Sequence, residues 1–211
     1  MNDKVYNDIA NIIKSLDVSL VSETRQNTLQ PLIEYIKDKI ASKTSIRLNF
    51  ICTHNSRRSH LSQIWAQTMA AYFNIGNVSC YSGGTEATAM FPKVEETLRN
   101  QGFQNQKLSE GDNPVYSVKF SDNQPSIIAF SKEFSASFNP SSDFAAIMTC
   151  SSADEACPMV LGCDARIAVT YEDPKKSDGT PQQTETYINR SLQIATEMKF
   201  VFSKLQSIIK R

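Results

Sequence analysis

Cys52 ends an apolar run, SIRLNFIC, and is followed by THNSRRS before helix-like apolar spacing resumes at Leu61. A cysteine packed only for its size needs no such company of hydroxyls, an amide, an imidazole and two guanidiniums. Suppose a strand ends at Cys52 and a helix begins near Ser59. The loop Thr53, His54, Asn55, Ser56, Arg57, Arg58 must then curl across the end of a sheet, with its N–H groups turned inward beside the positive end of the helix dipole. That is a site for a tetrahedral oxyanion. Arg58 adds a planar fork of donors matched to such an ion. A thiol among these donors is expected as a thiolate, the reactive form, as happens to cysteines at helix N-termini and beside cations. Ser59 can donate to the sulfur. Asn55 can brace the loop, because Asn tolerates left-handed backbone. The plain alternative is a core thiol beside two solvated arginines. The strand–loop–helix setting and the Ser after Arg58 weigh against it.

The flanking elements must hold this loop. Val5, Ile9, Ile12, Ile13 and Leu16 have helical spacing within residues 3–20, and Leu29, Leu32, Ile33, Ile36 and Ile40 repeat it within 22–41. Ser22 is a natural N-cap, and Pro31 is expected to kink or restart the second helix. Residues 46–52 read as a buried strand, and a helical stripe runs through Leu61, Ile64, Trp65, Met69 and Tyr72. A strand over 78–82 and a helix from Pro92 to just before Gly102 follow. This order predicts a parallel sheet with helices on its faces. The stretch 113–134 reads as a hairpin around SDNQP, DFAAIMTC and ARIAVT as further strands, and residues from Ile188 to Ile209 as a long amphipathic helix.

The chain has 211 residues, with 22 basic and 22 acidic side chains. That balance gives no pull toward nucleic acid or a membrane surface. No run approaches the roughly 20 apolar residues of a membrane-spanning helix, and no secretory signal opens the chain, so a cytoplasmic location is expected. Five cysteines, an odd number, argue against a disulfide framework and leave buried thiols, a metal or thiol chemistry.

CTHNSRRS resembles the phosphate loop of low-molecular-weight protein tyrosine phosphatases and of the related thioredoxin-coupled arsenate reductases. YSGGTEA resembles the segment after the second strand of that superfamily, and YEDP its late Asp-Pro loop. The resemblance implies a three-layer α/β/α domain on a four-stranded parallel sheet over residues 46–211. Residues 1–45 are then an N-terminal helical extension, and a β-hairpin is inserted. In the phosphatase branch Cys52 takes the phosphoryl group, Asp173 protonates the leaving oxygen, and water hydrolyses the thiophosphate. CSSADEACP resembles the redox segment of the reductase branch, with Cys150 and Cys157 seven apart. That branch implies attack of Cys52 on arsenate, then of Cys150 on Cys52, then of Cys157 on Cys150, with thioredoxin as electron donor and no tightly bound cofactor or metal.

The sequence departs from the pattern in places. Arg57 stands where both branches often place a second loop cysteine. Gln63 replaces a carboxylate that in some reductases helps hold potassium. Cys163 is an extra thiol that could rival Cys157 as the resolving partner. Cys80 reads as a buried hydrophobe, His60 as a solvated residue of the first helical turn, and Asp154 and Glu155 as solvent-facing charges. A zinc site on Cys150, Cys157 and Cys163 lacks a fourth thiol and short spacing. The first 45 residues are candidates for packing or a homodimer contact, and the hairpin for either an entrance to the site or an addition to the sheet edge. Three functions follow: arsenate reduction, phosphomonoester hydrolysis, and oxyanion or phosphoprotein binding without catalysis. The joint presence of Cys52, Arg58, Ser59, Asn55 and Asp173 speaks against the third, and the Cys150/Cys157 pair favours the first.

Overall fold

The computed structural model describes residues 4–156 and 159–209. Four strands, β1 (Ile46–Cys52), β2 (Val78–Gly84), β6 (Phe144–Met148) and β7 (Cys163–Ala168), form one all-parallel sheet in the order β2-β1-β6-β7. The chain leaves β1 toward β2 on one side and later returns to β6 on the other. The strand order therefore reverses between β1 and β6, and the carboxyl ends of those two strands frame the crevice in which α/β folds place their ligands.

Alternation along β1 sorts the core. Leu48 and Phe50 join the large cluster that includes Leu61, Ile64 and Trp65 of α3 (Arg58–Tyr72) and Ile194, Met198 and Phe202 of α6 (Gln183–Ile209). Ile51, on the opposite face, joins a small cluster with Phe144, Met148, Cys150, Ala153 and Val160, beneath the short helix α5 (Ser151–Ala156).

The N-terminal helices α1 (Asn7–Ser15) and α2 (Glu23–Ala41) bury Ile9, Ile13, Leu29, Leu32 and Ile36 in the large cluster. They are part of the main core, not a satellite. Ser22 caps α2, accepting from the Arg25 N–H at 3.3 Å. The expected restart at Pro31 does not occur: α2 runs unbroken through it over 19 residues. Helix α4 (Pro92–Asn100) carries Pro at its first turn, where the missing N–H costs nothing.

The inserted segment is larger than a hairpin. β4 (Tyr116–Lys119) and β5 (Ile127–Ala129) pair as expected, and β3 (Gln104–Lys107) adds a third antiparallel strand on the far side of β4. This second sheet does not join the first. Val118, Ile127 and Ala129 pack into the same core as β1 and β2, and the strap after β5 meets the first sheet at a bridge between Gly84 and Glu133.

Candidate active site

β1 delivers Cys52 to the carboxyl edge of the sheet, and α3 begins at Arg58. The path of the loop between them is set by its carbonyls. Those of Cys52 and Thr53 accept from the Thr85 and Glu86 N–H groups, that of Ser56 from the Phe91 N–H, and that of His54 from the hydroxyls of Thr88 and Ser131. In a trans peptide the N–H points opposite to the C=O. The N–H groups of Thr53, His54, Asn55 and Arg57 therefore face the concave side of the loop. Among the described residues they donate to no protein acceptor. A ring of inward, unused donors is an anion cradle.

Asn55 holds the turn. Its φ of +44° is left-handed, a conformation Asn takes at little cost. Its side chain is used twice: Oδ1 accepts from the Lys132 N–H at 2.9 Å, and Nδ2 donates to Ser59 Oγ at 2.8 Å. Ser59 Oγ lies 3.1 Å from Cys52 Sγ. Because Asn55 Nδ2 can only donate, the Ser59 proton is left for the sulfur, which is thereby the acceptor.

Arg58 closes the cradle. Its Nη1 donates to the Tyr171 carbonyl at 3.0 Å and its Nη2 to Asp173 Oδ2 at 2.5 Å, while Asp173 Oδ1 caps the following turn by accepting from the Lys175 N–H. Arg58 Nε is buried and has no partner among the described residues. The space framed by Cys52, His54, Ser56, Arg57, Arg58 and Asp173 is only about 10 Å³, room for one water. A tetraoxo anion must displace the Asp173 carboxylate to enter.

Arg57 is neither a solvated turn residue nor a second arm over the sulfur. Its Nε donates to the Tyr187 hydroxyl and its Nη2 to Asp178 Oδ2, both at 2.6 Å, and the guanidinium lies 4.0 Å from the Phe91 ring centre. Tyr187 also donates to Asp178 Oδ1 at 2.7 Å. Partial burial works to raise the Asp178 carboxyl, but hydrogen bonds from Tyr187 and Gln183 and the Arg57 charge outweigh it and hold it below the usual range. The cluster bolts the loop to α6. Phe91, Asp178 and Tyr187 carried no signal in the sequence, since they lie far from the loop in the chain and have no motif of their own.

A second buttress comes from the strap after β5. Lys132 accepts at its carbonyl from the Gly84 N–H. Its ammonium is almost fully buried, donates to the Phe130 carbonyl at 3.2 Å and lies 4.4 Å from the Phe130 ring centre. Burial pushes it down to about 8. The insert thus shapes the site through its exit strap, a role that only the tertiary structure reveals.

His60 corrects the expectation of a solvated residue. It is completely buried, with Nδ1 3.3 Å from Ser82 Oγ and Nε2 unpartnered among the described residues. Burial, helped by the Lys132 charge, pushes it down to about 3. An unfolded His titrates near 6.5, so below that pH the unfolded chain takes a proton the fold refuses. Stability should fall from pH 6.5 toward pH 3. Between pH 7 and 4.5 the loss from this group should be on the order of 2–3 kcal/mol. Urea unfolding of the native protein and of His60→Gln at both pH values measures it. Equal losses in the two proteins would refute the assignment.

Cys150 stands on the neighbouring strand end. It is buried, its sulfur lies 3.4 Å from Thr53 Oγ1, and it accepts from the Ala153 N–H at 3.3 Å. Cys157 lies outside the described residues. Cys163 opens β7, paired with Phe144 at the amino end of the sheet, and packs against the small cluster that includes Cys150. Cys80 is buried in β2, and burial pushes its thiol far up. Asp154 is not simply solvent-facing: it pairs with Arg166 at 2.6 Å. Gln63 Nε2 donates to the Cys80 carbonyl at 3.1 Å. Among the described residues no helix is long and apolar enough to cross a membrane.

No family model matches the chain, and no curated protein matches it in sequence. Solved structures do. The chain is similar to a mutant of YwlE from Bacillus subtilis, with a TM-score of 0.51 and 13% identity over 79% of this chain and 100% of that one. It is also similar to a low molecular weight phosphotyrosine phosphatase from Vibrio cholerae O395 (TM-score 0.49, 11% identity, 76% of this chain and 96% of that one). A third is an arsenate reductase from Archaeoglobus fulgidus (TM-score 0.47, 17% identity, 74% of this chain and 98% of that one). At these identities the likeness speaks for the fold: a four-stranded parallel sheet flanked by helices, as in low-molecular-weight phosphatases.

Proposed function

We propose that the protein is a thiol-dependent arsenate reductase that passes its oxidising equivalents through a cysteine relay to thioredoxin. The observation that carries this reading is the seat of Cys150, a second buried thiol at the carboxyl end of the strand beside β1 and in contact with the residue after Cys52. Hydrolysis has no use for a thiol there, whereas a relay does.

The chemistry begins when an arsenate oxyanion takes the inward N–H groups and Arg58 Nε, and Asp173 swings off the guanidinium. Cys52 attacks arsenic, forming a sulfur–arsenic bond, and an oxygen leaves as water with a proton supplied through Asp173. Cys150 then attacks the Cys52 sulfur. A disulfide forms, the sulfur–arsenic electron pair goes to arsenic, and arsenite departs. Cys157 attacks Cys150, frees Cys52 as a thiolate, and leaves a disulfide for the thioredoxin dithiol to reduce. No bound metal or organic cofactor enters these steps.

A second reading, phosphomonoester hydrolysis, is favoured by Asp173 itself, an acid at the mouth of the cradle within reach of a leaving oxygen. It needs Cys52, Arg58 and Asp173 but not Cys150. One comparison separates the two. Under thioredoxin turnover with arsenate, Cys150→Ser should lose arsenite release by more than 100-fold, on the order of a missing nucleophile, while aryl phosphate cleavage stays within threefold. Undiminished arsenite release from Cys150→Ser would end the relay mechanism. Absence of arsenite from the native protein, with aryl phosphate cleaved, would make it a phosphatase.

A further inference from the structure

Residues 1–45 lie outside the stretch that resembles the phosphatase and reductase chains, yet one of their side chains reaches the back of the cradle. Arg25, in the first turn of α2, places its guanidinium 4.8 Å from the ring centre of Tyr171. Its Nη2 pairs with Glu197 Oε2 of α6 at 2.8 Å, and the two side chains are only 20% and 4% exposed. Such a pair resists separation, because moving one partner strands the other charge away from water. The cation is thus fixed against α6 and offers the Tyr171 ring a fixed partner, an attraction that strengthens when water is excluded. Tyr171 is itself buried. Burial, and behind it the Glu197 charge, push its phenol far above the ordinary value, so the ring stays neutral over the physiological range.

Tyr171 leads into the segment that carries Asp173. Its N–H donates to the Thr149 carbonyl at 3.1 Å, and its own carbonyl accepts from Arg58 Nη1 at 3.0 Å. The other arm of that fork, Nη2, is held by Asp173. Entry of an oxyanion displaces the Asp173 carboxylate. From then on, among the described residues, the Tyr171 carbonyl is the one hydrogen-bond acceptor of the protein that still orients the Arg58 guanidinium. With Tyr171 loose, the guanidinium would have to be ordered at the moment of binding, which weakens binding.

We infer that Arg25 is a positioning residue for the oxyanion site: from the N-terminal helices it clamps Tyr171, and through the Tyr171 carbonyl it keeps Arg58 aimed at the anion after Asp173 has moved away. The N-terminal helices thereby serve the site as well as the core. The clamp bears on the reaction only where the cradle takes an oxyanion, as proposed above, and it does not depend on the cysteine relay.

Arg25→Gln combined with Glu197→Gln removes both charges together and leaves no carboxylate unpaired. Two readouts report on Arg58. The first needs no anion: hydrogen exchange of the Arg58 Nε–H in a ¹H–¹⁵N spectrum, its resonance being the one lost in Arg58→Lys. In the double variant it should exchange about tenfold faster than in the native protein, as expected when a local tether is released. The second is protection of Cys52 from iodoacetamide by inorganic phosphate, read by peptide mass spectrometry. The half-protecting concentration should rise about fivefold or more, since a donor misplaced by a fraction of an ångström is less effective. Tyr171→Leu, which leaves the charge pair in place and takes away the ring, should act in the same direction on both. Arg25→Lys, which keeps a cation for Glu197 and for the ring, should hold both readouts within about twofold of native. Ile36→Val is the control for a merely structural effect. It trims a fully buried side chain of the same helix, about 16 Å along the axis from Arg25, and should lower the melting temperature with both readouts unaltered. Native exchange and native protection in the double variant and in Tyr171→Leu, or equal changes in Ile36→Val, overturn the clamp. Lack of phosphate protection in the native protein would count against the oxyanion reading alone, and the exchange rates would then decide the clamp.

Discussion

Arg58→Lys is expected to lower kcat/KM for arsenate, and for aryl phosphate where that is cleaved, on the order of 10³-fold, the scale seen when a preorganised donor to a developing oxyanion is lost. The arginine is tied at two points of its fork, to the Tyr171 carbonyl and the Asp173 carboxylate, and offers its unpartnered Nε to the cradle. A lysine ammonium is one point of charge on a flexible stem. It cannot hold the Asp173 segment in place and present a donor to the anion together. Stability should move by only about 1 kcal/mol, since the pair is partly exposed at the surface side. Steady-state kinetics with both substrates, beside a urea melt, tests this. Activity within tenfold of native would remove Arg58 from the anion site.

Gly84→Ala is expected to destabilise the fold and slow turnover together. A Cβ at Gly84 would stand 2.3 Å from the Glu86 carbonyl oxygen, 2.6 Å from that of Thr53 and 2.7 Å from the Asn55 nitrogen. All three are backbone atoms, so no side chain can swing aside, and the loop itself must move. The Thr53 and Asn55 peptides carry part of the donor ring. Overpacking of this kind costs on the order of 3 kcal/mol, and a shift of about 1 Å in the cradle should reduce turnover by roughly 100-fold. Gly76→Ala is the matched control, because nothing lies within 4 Å of its added carbon. It should leave melting and turnover unaltered. A Gly84→Ala protein as stable and active as native would show that β2 does not press on the loop.

The chemistry of the site was largely legible in the chain, because its central parts are local. Cys52, Asn55, Arg58 and Ser59 lie within one strand–loop–helix turn, and a short stretch of backbone with fixed peptide geometry has few ways to join a buried strand to a helix. The same locality made the strands, the long terminal helix and the Ser22 cap readable from periodicity and end signals. Long-range packing was not local and could not be read. His60 looks solvated because it opens a helix beside two arginines, yet the face it occupies turns onto Ser82 and the strap around Lys132. Pro31 reads as a kink or restart, yet α2 continues through it with core contacts on either side.

The sequence by itself thus determined which residues could make an anion cradle and in what order strand, loop and helix supply them, since those choices rest on side-chain chemistry and on contacts a few residues apart. Only the tertiary structure decided what holds that cradle: Lys132 and Ser131 from an insert some 75 residues on, Asp178 from the turn before α6, Tyr187 from α6 itself, and Tyr171 linking Arg58 to the N-terminal helices. Those contacts are set by how twisted strands and packed helices meet in three dimensions, and no pattern along the chain encodes a partner at that distance.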